Sequence, residues 1–312
     1  MTVPQLSRVG FGAANLGDLH VAMTEEESWE VLEAAWASGI RYFDTAPHYG
    51  LGLSERRLGR FLQTKPRDEF IVSTKVGRLI RPARAAGAAA PSAADGLTRV
   101  WDASARGIQA SVEESLERLG LDRVDILYLH DPELYGLDAA LAEAAPTLVR
   151  LREEGIVQSV GVGSMAMEAL IRSAQTGAFD MLMVAGRYTL AEHDGVAELR
   201  AVCRAADVRL VTASVFNSGL LATALPGQGA RYNYGTAPAE LLTRVRAIAG
   251  VCEKHGVDLP TAALQYTLRD PLVASVVVGT GRAAQVAENA RRVAVAIPDD
   301  LWSSLMDSGY IV

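Results

Sequence analysis

Cysteine is nearly missing: of 312 residues only Cys203 and Cys252 are cysteines, too few for a disulfide framework and without the paired spacing of a zinc site. A reducing compartment suits such a chain. Proline is sparse too, at 12 residues against 28 glycines, and 49% hydrophobic with 21% charged residues is neither a disordered nor a collagenous composition. Basic charge is in deficit, with 30 Lys and Arg against 37 Asp and Glu, giving a net charge of -7 and a pI near 5.4. That balance argues against nucleic acid or an acidic membrane as partner, because their phosphates would find no surplus counter-charge. No run approaches the roughly 18 apolar residues of a membrane helix. The opening residues, MTVPQLSRVG, lack the basic-then-apolar order of a signal peptide. These absences lead to the expectation of a cytoplasmic protein acting on a small molecule, with oligomeric state left open.

What is present is a regular alternation. Short apolar runs read as strands buried on both faces: SRVGFGAAN (7–15), RYFDTA (41–46), EFIVSTK (69–75), DILYLHD (125–131), SVGVGS (159–164), FDMLMVAG (179–186), RLVTASV (209–215) and ASVVVGT (274–280). Amphipathic helical patterns lie between them. The first opens on Thr24 with Glu27 three residues on, a capping-box signature, and Gly39, Gly120, Gly155 and Gly256 read as helix stops. Over eight units, 312 residues average 39 apiece, which predicts a (β/α)8 TIM barrel with insertions, since such barrels need about 250 residues. No linker composition divides the chain, so one domain over 1–312 is expected. Residues 77–102, with the Ala-rich ARAAGAAAPSAADG, and 216–238 exceed ordinary loop length and are candidate lids.

In a barrel of this kind the active site lies at the C-terminal ends of the strands. Asp44, Lys75 and His130 end three of the predicted strands, and Tyr49 follows Asp44 by five residues. A carboxylate, an ammonium, an imidazole and a phenol on one rim are the parts of a proton-transfer site. An opposite charge within about 4–6 Å lowers an acid's pKa by about 1–3 units, so Lys75 is expected to bring Tyr49 toward working pH, with Asp44 as counter-charge for the lysine and His130 orienting a substrate oxygen. A metal site built on Asp44, His48, His130 and Asp131 is the weaker reading, because His48 sits in a loop; no metal is expected. GVGSMA (161–166) and GTGRAA (279–284) match the G-x-G-x-x-G/A fingerprint, but in the fifth and eighth units rather than the first unit of a Rossmann half. Their glycine turns and helix N-termini still suit a phosphate-bearing ligand.

At these residues the chain resembles the aldo-keto reductases over nearly its whole length, through FDTAPHYGLGLSERRLG, STKVG, SLERLGLDRVDILYLHDPE, LREEGIVQSVGVGS and VVVGT with AENARR, in order. The resemblance implies a barrel that binds a nicotinamide dinucleotide without a Rossmann domain, with Asp44, Tyr49, Lys75 and His130 as its catalytic tetrad. It implies Ser164 at the nicotinamide carboxamide, where Met165 and Ala185 replace the usual Asn and Gln. It implies Tyr188 stacked on the nicotinamide, Asn217, Ser218, Gly219 and Leu220 at the pyrophosphate, and Glu288 and Asn289 facing the adenine. The glycine turn with Gly279, Thr280, Gly281 and Arg282, together with Gln285, lies at the 2'-phosphate region. There Gly279, Thr280 and Gln285 stand where NADP-preferring members carry Lys, Ser and Arg, which favours NAD; Arg282 keeps NADP possible. AGRYTL, FNSGLL, RYNYG and LHDPE look most like the group containing D-threo-aldose 1-dehydrogenase, L-fucose dehydrogenase and pyridoxal 4-dehydrogenase. The implied reaction is oxidation of an aldose at C1 to a lactone, the alternatives being pyridoxal oxidation, general NADPH-linked carbonyl reduction, and a nucleotide-sensing subunit without turnover.

Overall fold

The structure is a computed structural model that describes residues 3–19, 21–83, 96–233 and 235–311. Each apolar run predicted above forms a strand: β1 (Val9–Gly12), β2 (Tyr42–Asp44), β3 (Ile71–Val76), β4 (Ile126–His130), β5 (Ser159–Ser164), β6 (Met181–Ala185), β7 (Arg209–Ala213) and β8 (Val273–Gly279). All neighbours pair in parallel, in sequence order, and β1 pairs with β8 to close the barrel. The predicted (β/α)8 TIM barrel is therefore the observed fold. Around it run α1 (Glu25–Ala37), α2 (Leu53–Leu62), α3 (Ala105–Leu119), α4 (Leu137–Glu153), α5 (Met167–Gln175) and α6 (Val196–Ala205). Two helices, α7 (Ala239–Lys254) and α8 (Leu259–Tyr266), bridge β7 to β8, and α9 (Ala283–Ala294) and α10 (Asp299–Asp307) close the chain.

Local chemistry sets these boundaries. Thr24 Oγ1 accepts from the Glu27 amide at 3.1 Å while the Thr24 amide donates to Glu27 Oε2 at 2.8 Å, so the capping box forms as its sequence implies. Gly120 ends α3 with φ of 60°, a conformation other residues adopt at a cost. The large core lies between strands and helices. A smaller core fills the barrel itself: Tyr42, Ile126, Tyr128, Met181, Met183, Val211 and Val277, with Val3 and Leu6 packed against it. Bulk here depends on glycine opposite. A Cβ on Gly10 would stand 2.6 Å from the Tyr42 ring, and one on Gly161 would stand 2.2 Å from the Met181 carbonyl oxygen.

The two long loops are more structured than their sequences suggest. From the end of β3 a hairpin rises, Arg78–Pro82 pairing antiparallel with Leu97–Trp101. Most of the Ala-rich segment, residues 84–95, lies outside the described residues. After β7 comes a tight turn, Asn217–Gly219, and a two-stranded ribbon, Arg231–Tyr232 with Gly235–Thr236. No helix among the described residues is long and apolar enough to cross a membrane.

Candidate active site

Strand register brings the proposed acid-base residues to one rim. Asp44 is the last residue of β2, Lys75 lies one residue before the end of β3, and His130 is the last residue of β4. The Lys75 Nζ donates to Asp44 Oδ2 at 2.7 Å and to the Thr45 carbonyl at 2.9 Å, and both side chains of the pair are buried. Its ammonium stands 4.9 Å from the centre of the Tyr49 ring. The Tyr49 and His130 rings meet edge to face with centroids 6.2 Å apart. All four expected residues are thus brought together.

Their electrostatics follow from burial in competition with charge. Burial disfavours the Lys75 ammonium, but Asp44 and Tyr49 outweigh it and hold the lysine pKa above its usual value. For Tyr49 the order reverses: burial raises the phenol above the ordinary 10.0, and the opposing pull of Lys75 does not restore it. The expectation that Lys75 brings Tyr49 toward working pH is therefore corrected, because burial, joined by the charges of Asp44 and Asp131, outweighs the pull of the lysine. His130 is driven well below 6.5, first by burial and then by Arg78, Lys75 and His48, so it is neutral at physiological pH. Its Nδ1 is buried without a partner among the described residues.

A chain of hydroxyls that the sequence did not reveal runs behind Asp44. Ser73 Oγ donates to Asp44 Oδ1 at 2.7 Å, Tyr42 Oη lies 3.1 Å from Ser73 Oγ, and Tyr128 Oη lies 3.4 Å from Tyr42 Oη. A carboxylate only accepts, so Ser73 spends its proton on Asp44 and must accept from Tyr42. The direction of the chain fixes one orientation of the carboxylate, with Oδ2 left for Lys75. Across the mouth, Arg78 pairs with Asp131 and donates to His48 Nδ1 at 3.3 Å. Burial, then Arg78, Arg99 and Lys75, lower His48 to about 4.

The residues expected to hold a dinucleotide line the C-terminal ends of β5, β7 and β8. Ser164, the last residue of β5, accepts from the Ala166 amide and donates to Glu133 Oε1, both at 2.8 Å. The second oxygen of Glu133 is buried with no partner among the described residues, an acceptor that sequence reasoning missed although it stands in the quoted LHDPE. Asn217 is buried, its Nδ2 donating to the Gly186 carbonyl at 3.2 Å and to Glu192 Oε2 at 2.9 Å, while its Oδ1 has no partner among the described residues. Asn217, Ser218 and Gly219 all have positive φ. The amides of Gly219 and Leu220 close this turn on Phe216 and Asn217, and the Leu220 side chain is fully buried, so Leu220 anchors the turn.

At the end of β8, Gly279 is exposed, and Thr280 donates to Gln285 Oε1 at 2.5 Å and accepts from the Arg282 amide at 3.2 Å. A Cβ on Gly281 would meet Met23 at 3.6 Å, so this turn lies against the loop after β1. Arg282 is exposed at the N-cap of α9, with no ion-pair partner among the described residues. Asn289 is buried, and Glu288 pairs with Arg292 at 2.7 Å. Unpaired buried acceptors, a glycine turn and the N-terminus of a twelve-residue helix fit a bound dinucleotide. Tyr188 departs from its expected place. Its side chain is 5% exposed, its hydroxyl donates to Asp270 at 3.0 Å, and its ring meets Tyr266 edge to face at 5.9 Å, between α6 and α8 rather than over the acid-base cluster. Gly186, just past the end of β6, has φ of 68°. Stacking by Tyr188 on a nicotinamide is thereby corrected to packing.

The model of the aldo/keto reductase family matches residues 8–308. D-threo-aldose 1-dehydrogenase of a Pseudomonas species is 52% identical, covering 100% of this chain and 95% of that protein. Pyridoxal 4-dehydrogenase of Microbacterium luteolum is 32% identical over 98% of this chain and 95% of that protein, and L-galactose dehydrogenase of Arabidopsis thaliana is 31% identical over 93% and 85%. Among solved structures, the holo form of an aldo-keto reductase from Bacillus halodurans superposes with a TM-score of 0.77 at 23% identity, covering 97% of this chain and 92% of that one, a likeness of fold.

Proposed function

Because this chain belongs to the aldo/keto reductase family, and is an oxidoreductase, we propose that it oxidises an aldose at C1 to the lactone with NAD as the favoured acceptor. The observation that carries the reading is the buried Asp44–Lys75 pair held against Tyr49 and His130. The 52% identity to an enzyme named for aldose 1-oxidation supports the substrate class. A bound nicotinamide dinucleotide supplies the hydride acceptor. Tyr49 in its phenolate form accepts the proton of the C1 hydroxyl, and Lys75, kept charged by Asp44, stabilises that phenolate. Neutral His130 donates a hydrogen bond to the sugar oxygen and fixes its orientation. Glu133, linked to Ser164, accepts from the carboxamide in place of the amide side chain absent at Ala185. Asn217 and Ser218, with the Gly279–Gly281 turn and the N-terminus of α9, hold the phosphates, and Asn289 lies toward the adenine. With Thr280 donating to Gln285, the described groups at the 2'-phosphate position other than Arg282 are uncharged, which favours NAD over NADP.

The test is a panel of L-fucose, D-arabinose, L-galactose and pyridoxal, each with NAD and with NADP. Sugar-dependent NADH formation with a lactone product supports the reading. Oxidation of pyridoxal with every sugar silent moves the assignment to pyridoxal, NADP preference with broad aldehyde reduction moves it to a general carbonyl reductase, and dinucleotide binding without any turnover moves it to a sensing subunit.

A further inference from the structure

The hairpin after β3 places Arg78 opposite Trp101 and Ile80 opposite Arg99. Opposed residues, and residues two apart on one strand, share a face, so Arg78, Arg99 and Trp101 stand on the same side of the ribbon. That side meets the acid-base cluster: Arg78 lies against His48 and Asp131 with its guanidinium 5.1 Å from the Trp101 ring centre, and Arg99 reaches the His48 carbonyl at 3.4 Å. Asp131 balances Arg78. Among the described residues Arg99 has no such balance. Among the described residues no carboxylate pairs with it, its Nε is buried without an acceptor, and burial together with the charge of Arg78 holds its pKa down. A buried donor left unmade is costly, which points to an acceptor that arrives with a ligand.

We infer that Arg99 is a substrate-selecting residue which, with Arg78 and Trp101, grips the hydroxyl-bearing part of the sugar remote from C1. The inference rests on the sugar reading above. A guanidinium presents several N–H donors in one plane and so spans two neighbouring hydroxyl oxygens, which a point-like ammonium cannot do. Trp101, 38% exposed, offers an aromatic face to the C–H side of a pyranose.

The test uses the full-length enzyme with bound dinucleotide and the variants Arg99→Ala and Arg99→Lys. Each is assayed on the best sugar of the panel and, in NADH-linked reduction, on glycolaldehyde, a two-carbon aldehyde with no remote hydroxyls. Arg99→Ala is expected to raise the sugar KM roughly ten-fold or more, the usual effect of losing hydrogen bonds from a charged group, with a much smaller change in sugar kcat and in glycolaldehyde KM. Arg99→Lys recovers only part of the loss. Dinucleotide Kd and Tm stay near wild type, which separates the result from misfolding. An unchanged sugar KM, or equal losses on sugar and glycolaldehyde, would each overturn the inference. Sugar silence in the wild type, with glycolaldehyde reduced, would remove the sugar reading itself, an outcome distinct from unchanged selectivity in the variants.

Discussion

Replacing Asp44 by Asn, with almost no change in shape, removes the charge that justifies a buried lysine. In the wild type the Lys75 Nζ has one carboxylate at 2.7 Å and one carbonyl at 2.9 Å, with both charged side chains only 3% exposed. Breaking a buried pair from one side costs about 3–5 kcal/mol, because the remaining charge is uncompensated. At roughly 2 °C per kcal/mol for a chain of this size, Tm should fall by about 6–10 °C at neutral pH. The pH dependence carries the sharper signature. With Asp44 present the folded-state pKa of Lys75 is raised, so the lysine contributes stability that is present below its unfolded value of about 10.4 and is lost only as pH passes the higher folded value. Without Asp44, burial is left as the main influence and lowers the folded-state pKa. The unfolded state then binds the extra proton, so stability rises with pH between the lowered value and about 10.4. Thermal melts of both proteins from pH 6 to pH 10 should show a deficit that narrows as pH rises. A deficit below about 1 kcal/mol, or one independent of pH, would refute the argument that Asp44 holds a buried ammonium.

Other expectations follow from the same geometry. Tyr49→Phe should abolish sugar turnover while leaving dinucleotide Kd within about three-fold, measured by quenching of protein fluorescence, since removing a proton acceptor affects the transition state rather than ground-state binding. Because burial raises Tyr49 above 10.0, the oxidative kcat should climb about ten-fold per pH unit from pH 7 to pH 9, whereas the reductive kcat, which needs the phenol, should stay flat over that range. Glu133→Ala should weaken dinucleotide binding roughly ten-fold by calorimetry, with little change in Tm. Gly161→Ala should destabilise by about 1–3 kcal/mol in urea titration, because its Cβ would press on the Met181 carbonyl oxygen at 2.2 Å.

Much of the barrel was legible because parallel strands covered on both faces are continuous apolar runs, a pattern that needs no partner to be seen. SVGVGS became β5 residue for residue, and the other seven runs contain their strands apart from end residues such as Val76 and Val273. The acid-base set was legible for a related reason: Asp44, Lys75 and His130 are polar residues at the ends of apolar strands, where the barrel makes them converge. The hairpin after β3 was not read from sequence. RLIRP and LTRVW are five-residue arms separated by a long Ala-rich stretch, and their pairing is set by tertiary placement. The Ser73–Tyr42–Tyr128 chain was hidden because Ser and Tyr inside apolar strands look like packing until their hydroxyls are seen to meet. Tyr188 failed in the opposite sense. An aromatic just past a strand end resembles a stacking platform, but the turn at Gly186 and the carboxylate of Asp270 draw it into the helical layer.

The central claim is removal of hydride from C1 with the proton passing to Tyr49. The most direct measurement is turnover of C1-deuterated L-fucose, or whichever sugar of the panel is best, with NAD. NADH carrying the deuterium, beside a lactone that carries none, is the predicted result. Deuterium retained in the sugar product would contradict it.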